Sequence, residues 1–471
     1  MLVTVKPFPF SLASLRQFAS WKTIATAALP NSKPRTPSCE NASPNSNANS
    51  NCSCSDARST RPRSRPSRAR PTIGDGPNIA DTPARSGPSR PPDAAFIEHD
   101  VHPHECTHCG SRELESTGRF EDHLVADIPE PKLEWHRYRR YIARCRACQE
   151  TSQGRGDLEL PGSHIGPRAR LFTCYSRVHL GISLGKTRDL LHSFFGLTVS
   201  RAGLLGHLKW GGTLFEPVVD ELLELLRRSP VVGGDETGWR INGQAAWAWC
   251  FRDPKLAVFL IDRHRSRDVL VRALGVSFSG TLVSDFYAAY NGLDCDKQRC
   301  LVHLLRELAR LREELPWQSV RAWIEPLMTL FQDAMQLAKD REKLASEAFA
   351  SARQGIHDRF DELMLGCRSE NKDCLRIWRR LFKHCDELFT FLEDLRVPAD
   401  NNGCERDIRS LAAARADGGV HRAGWSAAAF ACLKTVVVTG MKNGKRFIEY
   451  GLEVVRAKLS GAKLPLPVAS G

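Results

Sequence analysis

Between residues 231 and 305 the apolar positions gather into short runs that end at turns or at acids. Val231-Val-Gly-Gly-Asp235, Ala246-Trp-Ala-Trp-Cys-Phe251 and Leu256-Ala-Val-Phe-Leu-Ile261 have the length and the β-branched and aromatic content of strands. Asn242-Gly243 lies between the first two and Asp253-Pro254 between the second and third. The pattern therefore predicts three adjacent strands joined by a hairpin and a tight turn. Thr281-Leu-Val-Ser-Asp285 is a fourth run with an acid at its C-terminal end, and Gln298-Arg-Cys-Leu-Val-His303 is a fifth that leads into a helix.

Elsewhere the spacing turns helical. Residues 165–228, 306–397 and 400–460 read as helices, with Ala338 to Leu365 as a long periodic stretch. The last segment opens on Asp400-Asn401-Asn402-Gly-Cys-Glu405, with Asn as the expected cap. From Ser183 to Trp210 the pattern is helix, turn, helix. Leu184, Leu190, Leu191 and Phe194 form one stripe, Gly196 sits at the turn, and Ser200 is placed to cap a second helix bearing Leu204, Leu205 and Leu208. That spacing permits a DNA-binding helix-turn-helix and equally a plain helical hairpin. The expected class is α/β.

At 471 residues, 42% hydrophobic and 26% charged, the chain has room for two or three domains. This excludes a wholly disordered, collagenous or small disulfide-framework protein. No run of 18 apolar residues occurs, and the first 30 residues lack a clean apolar stretch followed by a small-residue cleavage site, so neither a membrane span nor a targeting peptide is expected. The net charge of +13 favours an anionic partner, nucleic acid foremost. Most of it sits in residues 1–95, which hold 13 Lys and Arg against 5 Asp and Glu, together with 14 of the 27 prolines. These residues read as a disordered basic tail, unable to bury enough apolar surface to offset its ordering entropy.

Four of the 16 cysteines form two close pairs, Cys106-Thr-His-Cys109 and Cys145-Arg-Ala-Cys148. Two thiolates across a tight turn are what a tetrahedral zinc ion takes from each side, so residues 100–150 are expected to be a zinc-binding module with structural Zn²⁺. The stretch from Lys132 to Ile142 between the pairs is aromatic and Arg-rich and is expected to form a hairpin there. Trp135, Arg137, Tyr138, Arg139 and Arg140 suit DNA contact and suit a solvated ribbon face equally well.

Carboxylates at the ends of neighbouring strands converge at one edge of a sheet. Asp235 and Asp285 are two such acids, and Glu405 on a capped helix beside them completes an oxygen-rich pocket. Hard cations such as Mg²⁺ or Mn²⁺ take that donor set, and two of them can activate an attacking oxygen and stabilise a leaving one in phosphodiester chemistry.

Several of these segments also resemble, in order, the motifs of one family. Asp235-Glu-Thr-Gly-Trp239-Arg-Ile-Asn-Gly-Gln-Ala-Ala-Trp-Ala-Trp is similar to the first catalytic block of the DDE transposases of the 66 family of bacterial insertion sequences. Leu282-Val-Ser-Asp285-Phe-Tyr-Ala-Ala-Tyr-Asn resembles the second block, and Gln298-Arg-Cys300-Leu-Val-His303-Leu-Leu-Arg-Glu-Leu the Cys-x-x-His block after it. Asn401-Asn402-Gly-Cys-Glu405-Arg-Asp-Ile-Arg409-Ser-Leu resembles the third, and Thr439 to Gly444 the closing Thr-x-x-x-Asn-Gly. The two cysteine pairs match the family's zinc-binding module, and the likeness covers roughly 100–460. The resemblance implies an RNase H-like catalytic domain over 229–460 with a helical insertion at about 306–397, preceded by the zinc module and by a helical segment at 165–228. It implies Asp235, Asp285 and Glu405 as ligands of two divalent ions, Mg²⁺ or Mn²⁺. Cys300, His303, Trp239 and Arg409 are accessory candidates, either beside the site or simply packed. The implied partners are transposon-end and target DNA, accessory proteins encoded by the same element, and further copies of the chain on DNA; the implied place is the bacterial cytoplasm, at the nucleoid. Residues 1–95 show no heptads where the family usually carries a leucine-rich, coiled-coil-like stretch.

The function expected is metal-dependent cleavage at transposon ends and strand transfer into target DNA. The alternatives are a catalytically inactive zinc-containing DNA-binding protein derived from such an enzyme, and an RNase H-like nuclease that cuts without joining.

Overall fold

The computed structural model describes residues 97–468 apart from 120–124, 126, 316, 367–370 and 417–420, with the side chains of 412–416 left aside. The basic tail expected over 1–95 lies outside the described residues. The chain divides into two compact units with a boundary at 130/131. Among the described residues of the first unit, 97–130, there is no helix or strand, and the ordered feature is a turn at Cys106-Cys109. The second unit opens with a small ribbon, β1 (Ile142–Arg144) antiparallel to β2 (Thr151–Gln153). This hairpin brackets Cys145–Cys148. The expected hairpin between the two cysteine pairs does not form: residues 132–141 carry no regular structure, because the turn that closes the ribbon is the cysteine turn itself.

Three helices follow: α1 (Pro167–Val178), α2 (Leu184–Phe195) and α3 (Arg201–Arg227). Ser183 and Ser200 cap α2 and α3 by accepting the N–H of Lys186 and Gly203, and Gly196 ends α2 in the left-handed conformation. Leu191, Val199 and Leu204 make a small core of their own, with Phe172 and Phe195 at its side. The structure corrects two details here. Phe195, edge-to-face on Phe172, packs inward while Phe194 is exposed. And α3 does not stop near Trp210 but runs 27 residues, so that its second half lies in the main core.

The main sheet holds β3 (Val231–Ile241), β4 (Gln244–Arg252), β5 (Ala257–Asp262), β6 (Thr281–Ser284) and β7 (Lys297–Arg299), with α4 (Arg267–Leu274) between β5 and β6. Its order is β5-β4-β3-β6-β7. The first three strands form an antiparallel meander, turning at Asn242 and Gly243 with positive φ as the hairpin signal predicts, and β6 and β7 add in parallel. Helices α5 (Leu301–Glu314), α6 (Gln318–Lys339), α7 (Ser346–Leu365), α8 (Lys372–Lys383) and the short α9 (Thr390–Glu393) come next. They enclose a second core, to which β6 contributes Val283. The periodic stretch from Ala338 to Leu365 is thus not one helix: a 3₁₀ turn at Arg341–Lys343 separates α6 from α7. The chain returns to the first core with α10 (Asn402–Ala416), α11 (Gly424–Lys442) and α12 (Phe447–Ser460). Helix α11 is apolar and long enough to cross a bilayer by composition, but most of it is buried against β5 and α3.

Side chains take backbone groups at both outer strands of this sheet. Thr435 Oγ1 accepts the N–H of Phe259, and Thr439 Oγ1 accepts the N–H of Ala257 while pairing with its carbonyl. Asn443 Nδ2 donates to the carbonyl of Lys255. At the other edge Thr390 donates to the carbonyl of Lys297, and the Gln298 amide bridges the Leu388 carbonyl and the Phe391 N–H. Replacing Thr435 and Thr439 together by Val leaves buried backbone groups of β5 unpaired, each at a cost of about 1–3 kcal/mol. Urea unfolding is expected to show a loss on the order of 3 kcal/mol or more; a loss below about 1 kcal/mol would mean the edge does not depend on these hydroxyls.

Candidate active site

Strands β3 and β6 run side by side, with Val231, Val232 and Gly233 opposite Thr281, Leu282 and Val283. Two residues further along each strand stand Asp235 and Asp285. Asp285 follows the end of β6, as expected. Asp235 is not at a strand end: its parallel partner stops, but β3 continues to Ile241 because β4 keeps pairing with it, Asp235 lying opposite Cys250. The Oδ1 of Asp235 accepts the N–H of Glu236 at 2.9 Å, and that of Asp285 accepts the N–H of Tyr287 at 2.8 Å.

Helix α10 carries Glu405 and is pinned to the same sheet at three heights. Asn401 Nδ2 donates to the carbonyl of Gly234, one residue before Asp235, at 2.8 Å. The Cys404 thiol donates to the carbonyl of Cys250 at 3.2 Å. Asp407 pairs with Arg252 and Lys442 at 3.1 and 3.0 Å. Two glycines make the approach close enough: a Cβ at Gly233 would stand 2.8 Å from Asn401 Oδ1, and one at Gly403 would collide with the Arg252 guanidinium. The expected Asn cap is corrected by this arrangement. Asp400 accepts the N–H of Asn402, while Asn401 turns its amide to the strand.

These placements concentrate negative charge. Burial first, then the charge of Glu236, push the Asp235 carboxyl up to about 7 against the pull of the Glu236 N–H, and Asp285 and Glu405 add to the rise. Glu236, which the sequence does not single out, is also raised by burial and by Asp285, although hydrogen bonds from Tyr290 and Arg265 oppose this. Its side chain is 2% exposed, and the Arg265 that grips it lies over the rings of Trp247 and Tyr287. An all-oxygen set with this much uncompensated charge fits hard divalent cations.

A buried arginine holds the turn after β6. Arg299, fully enclosed, donates to the Asp285 carbonyl at 2.8 Å, to Asn291 Oδ1 at 2.6 Å and to Glu387 Oε2 at 2.5 Å. Glu387 also pairs with His384 Nδ1 at 2.9 Å. Burial disfavours the Glu387 charge, but the bond from His384 and the charge and bond of Arg299 outweigh it and hold the carboxyl down at about 2. The helical insertion is thereby tied to the backbone of Asp285.

Cys300 and His303 come to Glu405 through the start of α5. Among the described residues, Cys300, His303 and Glu405 form the group whose ligand atoms all lie within 4.8 Å of one another; Asp235, Asp285 and Glu405 are not drawn together that tightly. His303 Nε2 lies 3.5 Å from Glu405 Oε1, with Arg306 at 3.3 Å and Arg409 at 3.7 Å, both on exposed side chains. Arg406 is exposed one residue away. Trp239 is 3% exposed and stacks against His421 and Phe430, so it packs in the core and offers no face to a base.

The cysteine pairs lie one in each unit, and each forms the same turn. Cys106 accepts the N–H of Gly110, and Cys145 that of Gln149, with both acceptor residues followed at the fifth position by a positive φ, 75° at Gly110 and 63° at Gln149. In each turn N–H groups lie against the first sulfur, from His108 and Cys109 in one and from Cys148 and Ala147 in the other, and lower the thiol of Cys106 and of Cys145. Trp135 beside them in sequence is 89% exposed.

In a comparison with known families, the profile of the transposase IS66 family aligns with residues 162–428, which hold both aspartates, the glutamate and the whole main sheet. No curated protein matches the chain.

The depressed Glu387 carboxyl makes a pH-dependent prediction. Its folded value lies below the ordinary glutamate value, so its contribution is full above about pH 5 and is lost as the pH falls towards 2. The stability gap between wild type and Glu387→Gln is expected to be on the order of 3 kcal/mol at neutral pH and to close near pH 2. A gap that stays constant over that range would show that Glu387 is not held as an anion by Arg299.

Proposed function

Because the chain belongs to the transposase IS66 family, we propose that it cuts DNA at the ends of a mobile element and joins the freed 3′-hydroxyl to target DNA, with Asp235, Asp285 and Glu405 as ligands of two divalent ions. Transposition is the family's function in outline and DNA its partner. The observation that carries the finer reading is the register of β3 against β6, which sets Asp235 beside Asp285, together with a third carboxylate near enough for its charge to be felt at Asp235. The fold we assign to the main sheet is RNase H-like. Three antiparallel strands followed by two parallel ones, and a helical insertion before the last acid, support that assignment.

Bound ions would supply activation of the attacking oxygen and neutralisation of the leaving one. The remaining work belongs to the chain. Asn401, Cys404 and Asp407 fix the helix of Glu405 against the strand of Asp235, and Arg299 fixes the turn of Asp285. Glu236, Arg265 and Tyr290 form a neutralised block behind the aspartates. Arg306 and Arg409 offer positive charge to phosphate beside Glu405. Such a site acts by positioning and charge stabilisation, with no covalent intermediate on the protein. We read Cys106, Cys109, Cys145 and Cys148 as thiolate donors to structural zinc.

Asp235→Asn, Asp285→Asn and Glu405→Gln are each expected to lower magnesium-dependent cleavage of the element's end DNA by about 10³-fold or more, while gel-shift affinity changes little. Cleavage that persists in any one of them removes that residue from the site. Strand transfer by the wild type separates this reading from a nuclease that only cuts, and absence of both reactions with binding intact would favour an inactive DNA-binding derivative. Zinc content gives an independent check: protein purified without chelators is expected to carry zinc that Cys145→Ser with Cys148→Ser loses, and unchanged content cancels the zinc assignment.

A further inference from the structure

We propose that Cys300, His303 and Glu405 form a second, different metal site, selective for a zinc-class ion, whose filling takes Glu405 away from the two aspartates. The consequence for Glu405 rests on the reading above; the metal site does not.

The donor atoms of the three residues lie within 4.8 Å of one another. A tetrahedral zinc ion holds such ligands roughly 3.3–3.8 Å apart, given its Zn–S, Zn–N and Zn–O distances. His303 Nε2 and Glu405 Oε1, at 3.5 Å, are already so spaced, and a closure of about 1 Å by the remaining side chains completes the trio. The chemistry differs from that of the aspartates. Thiolate, imidazole and one carboxylate are borderline-soft donors that favour zinc or cobalt over magnesium.

The surroundings of the sulfur are those of a ligand. Cys300 stands at the N-cap of α5, and Asn401 donates its N–H to the sulfur at 3.2 Å. The N–H groups of Val302 and His303 add to this. The same kind of N–H cradle surrounds Cys106 and Cys145 in the cysteine turns. Burial holds the empty thiol protonated, so an ion entering there displaces that proton to solvent. His303 presents a further sign: its Nδ1 is buried and has no hydrogen-bond partner. Among the described residues, Glu405 is held otherwise only by exposed arginines at 3.3 and 3.7 Å, pairs that contribute little and yield readily. Three protein ligands leave a fourth position open, which marks an exchangeable site and not a closed structural one. Zinc bound there would act as a brake on the magnesium-dependent reaction.

Cobalt(II) titration of the full-length wild type, Cys300→Ser and His303→Ala tests the site. The wild type is expected to bind about one equivalent more than either variant, with added thiolate-to-cobalt absorption that zinc abolishes. His303→Ala, at a half-exposed position, decides the matter should Cys300→Ser fail to fold. Equal stoichiometry and equal spectra in wild type and His303→Ala overturn the site. In the activity arm, zinc at fixed magnesium is expected to inhibit wild-type DNA cleavage at concentrations at least tenfold lower than those that inhibit His303→Ala relative to its own zinc-free rate. An extra cobalt equivalent without that difference overturns the withdrawal of Glu405. No cleavage by wild type with magnesium alone would overturn the transposase reading instead, and leaves the cobalt result to stand by itself.

Discussion

Carboxylates repel one another, and the second unit of this protein is organised around holding several of them close. Asp235, Glu236 and Asp285 lie on or just beyond adjacent strands, and the charge of Glu405 reaches Asp235 from a helix. Nothing in the local sequence of any one of these acids would keep it there. The restraint comes from behind: a fully enclosed guanidinium on the Asp285 carbonyl, an amide on the Gly234 carbonyl, and an arginine with a tyrosine on Glu236. Each of these restraints satisfies a polar group that burial would otherwise leave unpaired, so positioning and polar satisfaction are one and the same set of bonds. Burial and mutual repulsion raise both Asp235 and Glu236; the bonds from Arg265 and Tyr290 oppose the rise at Glu236, while Asp235 is pushed up to about 7, so a cation offered there is met by a group ready to ionise near neutral pH.

What could be read from the sequence is what local pattern determines. Four strands announced themselves by apolar runs bounded by turn residues, whereas the fifth run, Gln298–His303, is corrected: the strand is the polar Lys297–Arg299, and Cys300 with Leu301 to His303 caps and opens α5. Asn242-Gly243 specified its hairpin because only residues tolerant of positive φ close a two-residue loop with the right twist. The mixed α/β character and the family followed from the order of these runs and of the acids. Other features were illegible because they depend on distant partners. Arg299 reads as an ordinary basic residue at a strand end until the insertion, nearly 90 residues later, brings Glu387 to it. Asn401 looks like a cap by type and position, and only the approach of β3 turns its amide elsewhere. Phe194 and Phe195 are adjacent and equally apolar, so a small error in helical phase decides which is assigned to the core. The continuation of β3 past Asp235 was hidden by Glu236 and Gly238, residues that propensity alone does not favour in a strand but that pairing with β4 accommodates.

Two kinds of donor set meet at one helix. On one side of Glu405 lie oxygen donors and surplus negative charge; on the other lie a sulfur, an imidazole and arginines. A carboxylate is the one donor type that suits both sets, since it serves hard and borderline ions alike. The residue at this junction therefore carries more constraint than its neighbours on α10, and its partial exposure, 12% for the side chain, leaves it accessible to solvent ions from either side.

The treatment of the outer strands also bears on how copies of this chain can meet. Thr435 and Thr439 along one border, and Thr390 along the other, take backbone groups that a visiting strand would need. Pairing by β-augmentation is thus hindered on both borders of the main sheet. Contacts between copies of this chain are thereby steered towards helical and loop surfaces, which leaves the main sheet undisturbed.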